Sequence, residues 1–163
     1  VKKSRWTVLE TDGLHAAVGH NAARRLESYG ARPGDPVVVV GYGAPGHQEE
    51  WLALVKAVRS HAGEFGEGEW HWAPAGHFLP DSGAPLYAAV RTLKEAGHER
   101  LAVLPLFLSV SSYQQSLIPT ELKKFPELVI AFQPDAVLPD EELERWAADV
   151  IGAAERELAV KRQ

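Results

Sequence analysis

Cysteine is absent from this chain. Disulfides, thiolate zinc sites, cysteine-ligated clusters and cysteine nucleophiles are thereby excluded within it. Methionine is absent too, position 1 included, which fits a processed form or a piece of a longer protein equally well. Long apolar runs are missing: Leu101 to Leu108 is apolar throughout but stops after eight residues, far short of the ~20 that cross a bilayer. The first residues do not have the pattern of a signal peptide. Positive charge is in the minority, with 17 Lys and Arg against 22 Asp and Glu and a formal net charge of -5. No basic stripe runs through the sequence, so neither nucleic acid nor membrane is an expected partner. The cytoplasm is the expected compartment.

What is present reads as one domain of ordinary size. At 163 residues, 45% hydrophobic and 24% charged, the chain can bury its own core. It divides into an N-terminal arm and helix, residues 1–35, and an α/β domain, residues 36–163. Asp12 is placed to cap a helix running to about Tyr29, with Leu14, Val18, Ala22 and Leu26 on one face and Gly30 as the stop. Four valines, Val37 to Val40, form a strand that ends in Gly41-Tyr42-Gly43-Ala44-Pro45-Gly46. A helix from about His47 to Ala62 packs through Trp51, Leu54, Val55 and Val58, and a flexible acidic loop, Gly63 to Glu69, follows. Trp70 to Ala73 is a weaker strand, and Pro85 to Ala96 a helix that Gly97 terminates.

Leu101 to Leu108 is too uniformly apolar for a half-exposed strand, and reads as a central strand covered on both faces. Polar residues follow at once: Ser109, Ser111, Ser112, Tyr113, Gln114, Gln115 and Ser116. Open α/β sheets bind ligands at this end of their strands, although a loop that only caps the next helix would look the same. A short helix with a proline, Leu117 to Phe125, leads to a fourth strand, Leu128 to Phe132. Asp140, Glu141 and Glu142 open a last helix with Leu143, Trp146, Val150, Ile151, Ala154 and Leu158 at helical spacing.

Strands alternating with helices predict right-handed crossovers and a parallel sheet, in the order 2-1-3-4 with helices on both faces. The loops after the first and third strands, Gly41 to His47 and Ser109 to Ser116, then share one crevice. The glycine loop lacks the third glycine of a dinucleotide fingerprint and the Gly-Lys-Ser/Thr of a phosphate loop. It could still bring a phosphate or a flat ligand close to the backbone at a helix N-terminus.

Taken together, VVVVGYGAPG, AVRTLKEAGHERLAVLPLFLSVSSYQQSLIP and PDAVLPDEELERWAADVI resemble the class II tetrapyrrole chelatases. The branch they resemble is the small CbiX-type sirohydrochlorin cobaltochelatases and ferrochelatases. The resemblance covers about Val37 to Ala154 and is most specific in AGHERLAVLPLFLS with the downstream Ile118-Pro119. It implies a flavodoxin-like, three-layer α/β/α fold, here with an additional N-terminal helix. It also implies insertion of Co²⁺ or Fe²⁺, as the substrate metal, into a tetrapyrrole such as sirohydrochlorin, with no tightly bound organic cofactor. A second chelatase-like unit, in a homodimer or in another domain of a longer chain, is the implied partner.

Carried over residue by residue, the resemblance places Tyr42, Tyr113 and His77 in catalytic positions, and Gly41, Gly43, Ser111, Ser112 and Gln114 against the substrate. The family pattern has histidine where this chain has Tyr42, and a second where the nearest match is Tyr113. Neutral imidazole binds a divalent metal and accepts a pyrrole proton near neutrality; a phenol, ionising near ~10, does neither readily. His77, in AGHFLPDSG with Asp81 nearby, is the candidate metal ligand. No histidine pair has the i, i+4 spacing of a helical metal site. Three readings remain: a chelatase with an atypical site, a non-catalytic chelatase-like module that binds a tetrapyrrole or supports a partner domain, and a small-anion binder of flavodoxin-like fold.

Overall fold

The computed structural model describes residues 13–43, 45–75 and 81–162. Its centre is a four-stranded parallel sheet in the order β2-β1-β3-β4, with β1 Val37–Tyr42, β2 Trp70–Ala75, β3 Arg100–Pro105 and β4 Val129–Ala131. This is the expected order. Val37 aligns with Trp70 on one side and Ala102 on the other, which makes β1 a central strand. β-Branched residues suit a pleated surface packed on both faces, and Val37 to Val40 are at most 1% exposed.

The alternation of side chains divides the core into two layers. Val38, Val40, Leu101 and Val103 join Leu86, Val90 and Leu93 of α3 (Ala84–Glu95) and Ile118 of α4 (Ser112–Leu122). Val37, Val39, Ala102 and Leu104 face the other way, onto Ala22 and Leu26 of α1 (Leu14–Ser28) and Val55 and Val58 of α2 (Gln48–Ser60). The last helix, α5 (Glu141–Val160), docks on α1 through a small cluster of Leu143, Ala17 and Val137. The protein is thus a flavodoxin-like three-layer α/β/α fold with an N-terminal helix. No helix among the described residues is long and apolar enough to cross a membrane.

Several expectations are corrected. The α1 face of Leu14, Val18, Ala22 and Leu26 is covered by the chain's own sheet, α2 and α5, so it does not call for an external partner. The N-cap of α1 is Gly13, at φ 85, while Asp12 lies outside the described residues. β3 stops at Pro105, whose ring nitrogen cannot donate to a ladder, and not at Leu108. α4 starts at Ser112 rather than Leu117, because Ser111 and Gln114 form a capping box: the Ser111 hydroxyl accepts from the Gln114 N–H at 3.4 Å, and the Gln114 side chain accepts from the Ser111 N–H at 3.0 Å. Gly63–Glu67 is a 3-10 helix, not a free loop; Arg59 Nε donates to Gly66 O at 2.8 Å and Trp70 Nε1 to Phe65 O at 2.9 Å. Ile151 points outward at 51% exposure, since α5 buries only Leu143.

Candidate functional site

Adjacency of β1 and β3 brings the loops that follow them together at the carboxyl edge of the sheet. Leu106 N–H donates to Val40 O at 2.6 Å, and the segment then turns outward. Phe107 folds back into the α3–α4 core, 3% exposed, and supports Tyr42 edge-on at 4.9 Å between ring centroids and 71° between planes. The Tyr42 ring is 44% exposed, so it lies on the open edge and not in a closed core. Phe107 O and Leu108 O accept from the N–H groups of Val137 and Leu138 at 2.8 and 3.2 Å, fixing the loop after β3 to the segment before α5. Leu108 and Leu138 remain 70% and 42% exposed beside each other.

The other expected site residues divide. Gly41 is buried because a Cβ there would come within 2.8 Å of the Trp72 ring, and Gly43 because a Cβ would meet Pro74 at 2.4 Å. Packing accounts for both glycines, although Gly43 also borders a pocket. Ser111 is the cap of α4, Ser112 is exposed on its first turn, and Gln114 is 3% exposed within the capping box. The Gln114 side chain is enclosed by the protein, with Nε2 left without a partner. Tyr113 sits in the first turn of α4, but its side chain, like all of His77, lies outside the described residues. Asp81 Oδ1 accepts from the N–H groups of Gly83 and Ala84 at 3.1 and 3.2 Å, a role at the start of α3.

Two features were not legible in the sequence. Beneath the glycine loop, Trp51 of α2 stacks on Trp72 of β2 at 4.7 Å and 9° between planes. With Gly43, Pro45, Gly46, Gln48 and Pro74 they line a cavity of about 320 Å³. No local signal links positions 51 and 72; only the β1–β2 pairing and the α2 crossing bring them together. On the far side of β3, α1 supplies a polar cluster. Arg25, 7% exposed, donates from Nη2 to Asp135 Oδ1 at 2.6 Å and to Pro105 O at 2.7 Å, and Nε donates to the same carboxylate at 3.1 Å. The Tyr29 hydroxyl also donates to Asp135, and burial pushes that phenol far above its ordinary pKa. Asn21 donates to Asp140 at 3.0 Å and to Val137 O at 3.1 Å. The one sequence signal was that Ala17, Asn21 and Arg25 recur every four residues beside the apolar stripe.

Asp140 is the hub of this clamp. It caps α5 by accepting from the Leu143 N–H at 2.9 Å and pairs with Arg24 at 2.6 Å. Burial would raise its pKa, but hydrogen bonds from Asn21, the Leu143 N–H and Arg24 outweigh burial and hold the carboxyl below its ordinary value. Glu142 is lowered as well, chiefly by its 2.7 Å hydrogen bond with His20. Arg24 to Asp140 and Arg25 to Asp135 bound a cavity of about 550 Å³ of mixed polar and apolar lining that also reaches Ser28 and Ser109.

Among the described residues, no three His, Asp or Glu side chains cluster as a metal site would require. Among the described histidines, His20 meets His61 edge-on at 6.3 Å between ring centroids, while His47 lies near Glu50 at 3.5 Å and His71 near Glu69 at 3.1 Å. No protein-family model and no curated protein matches the chain. The chemistry of the site is accordingly argued from its own residues.

Proposed function

We propose that this chain is a chelatase-like domain that holds a tetrapyrrole at the β1–β3 edge. One observation supports this above the others: Tyr42 at the end of β1, resting edge-on against Phe107, and Leu108 after the adjacent strand β3 with its neighbour Leu138 are all more than 40% exposed. A shelf of this kind exposes apolar surface that a flat macrocycle can cover. It stands at the switch point of the sheet, where open α/β folds take their ligands. The sequence resemblance to sirohydrochlorin chelatases points to the same edge.

Holding the ring and metallating it are separate steps, and the described residues favour the first. Insertion of Co²⁺ or Fe²⁺ needs groups that accept two pyrrole protons and pass on a divalent ion. In this chain those would be Tyr42, Tyr113 and His77, or histidines of a second chelatase-like unit. Titration with sirohydrochlorin, with and without Co²⁺ or Fe²⁺, followed in the visible spectrum, tests the proposal. A saturable spectral shift is expected without metal, and it should weaken at least tenfold in Tyr42→Ala with Leu108→Asp. No shift with either preparation overturns the tetrapyrrole reading. A metallated product from the unmodified chain alone would make it an enzyme; one that appears only in Tyr42→His with Tyr113→His would identify a degenerate half-site.

A further inference from the structure

The cavity under the glycine loop lies at the same carboxyl end of β1 but on the opposite face of the sheet. Trp72 packs with the α1–α2 layer, whereas Tyr42 rests on Phe107 of the α3–α4 layer, so β1 separates the two. Its described lining is Gly43, Pro45, Gly46, Gln48, Trp51, Trp72 and Pro74: two indoles, two prolines, glycine backbone and one amide. No charged side chain is among these residues. The first turn of α2 carries Glu49 and Glu50, which occupy the position where an anion would otherwise meet the helix dipole. A phosphate is therefore disfavoured. The volume, about 320 Å³, is at the small end of ligand pockets, roughly 300–1,000 Å³, which suits one ring system and not a macrocycle.

We infer that this pocket is a second binding site, for an uncharged planar heteroaromatic ring lying against the Trp51–Trp72 stack and hydrogen-bonded by the Gln48 amide. The parallel indoles present a flat π surface at ordinary stacking distance. Gly41 and Gly43 let Trp72 and Pro74 approach β1 closely enough to form the wall. The side-chain amide of Gln48 offers both a donor and an acceptor.

The test is a ¹H–¹⁵N NMR titration of the labelled chain with indole, indole-3-carboxylate and inorganic phosphate, following the Trp51 and Trp72 Nε1–H and the Gly43 and Gly46 amides. Indole should shift these resonances saturably, indole-3-carboxylate at least fivefold more weakly, and phosphate not at all. Trp51→Leu, at a half-exposed helix position, should abolish the indole shifts. Gln48→Arg, at an exposed position, keeps the walls and should restore binding of the carboxylate. Equal or stronger shifts with phosphate or the carboxylate in the unmodified chain overturn the inference. So do indole shifts that persist in Trp51→Leu, or none that saturate. These resonances report on residues other than Tyr42 and Leu108, so this site can fail while tetrapyrrole binding stands, and the reverse.

Discussion

At position 41 a methyl group would stand 2.8 Å from the Trp72 ring and 3.3 Å from Leu106 O, so neither the indole nor the backbone just after β3 can give way cheaply. Gly41→Ala should destabilise the chain by about 1–3 kcal/mol through overpacking, measured by urea denaturation. Gly46 differs in kind: it has open space around it but φ +81, so Gly46→Ala should cost about 1 kcal/mol from backbone strain alone. The buried guanidinium of Arg25 is a third case. Removing it takes the Arg25 donor from the Pro105 carbonyl and leaves Asp135 with the Tyr29 hydroxyl but no paired cation, a loss that for a fully buried pair costs ~3–5 kcal/mol. Asp135 keeps 35% of its side-chain surface, and water can compensate it in part, so Arg25→Met should cost about 2–3 kcal/mol. A loss below about 0.5 kcal/mol would show that the pair does not hold α1 to the sheet edge.

Between elements, α1 passes close to the end of α2 at Gly19. Alanine in a helix interior is ordinarily better than glycine by ~1 kcal/mol, but a Cβ on Gly19 would lie 2.3 Å from His61 Cβ and 2.8 Å from Val58 O. Overpacking against a backbone atom exceeds the propensity gain, so Gly19→Ala should be net destabilising by about 1–2 kcal/mol in thermal or urea unfolding. A stabilised variant would mean that α1 can tilt away without loss. At the start of α4, Ser111→Ala should cost about 1 kcal/mol by removing the cap. It should leave the sirohydrochlorin titration unchanged, because the hydroxyl is engaged with α4 itself.

For the molecule as a whole, the α1–α5 clamp makes stability depend on acid. The folded-state pKa values of Asp140 and Glu142 are depressed, so the unfolded chain takes up protons first as pH falls. The stabilisation is complete above the ordinary carboxylate values, ~4, and is lost as pH drops through the lowered folded values. Urea midpoints should therefore be flat from pH 7 to 5 and fall below about pH 4. Asp140→Asn should start less stable and fall less steeply; an equally steep decline in that variant would place the acid-sensitive carboxylate elsewhere. With the apolar face of α1 satisfied inside the chain, the case for a second chelatase-like unit rests on the family resemblance and on the tyrosines. The mass in solution, alone and with sirohydrochlorin, tests it.

The sheet order and both crossover layers were legible in the sequence because they follow from local rules: four valines in succession, an eight-residue apolar run, and helices with 3.6-residue stripes between them. Even the capping box at Ser111 and Gln114 was written there, masked by a polar tract that equally resembles a binding loop. What could not be read locally was every relation between distant side chains. Trp51 and Trp72 meet through a strand pairing and a helix crossing, and Arg25 reaches Asp135 across 110 positions of sequence. Hydrophobic periodicity is a property of a segment, so the chain order determines the main strands and helices, while element ends and the outward turn of Ile151 were decided by capping and packing. A pocket, a stacked ring pair or an ion-pair clamp belongs to several segments at once, and exists only after the sheet has brought them within a few ångströms.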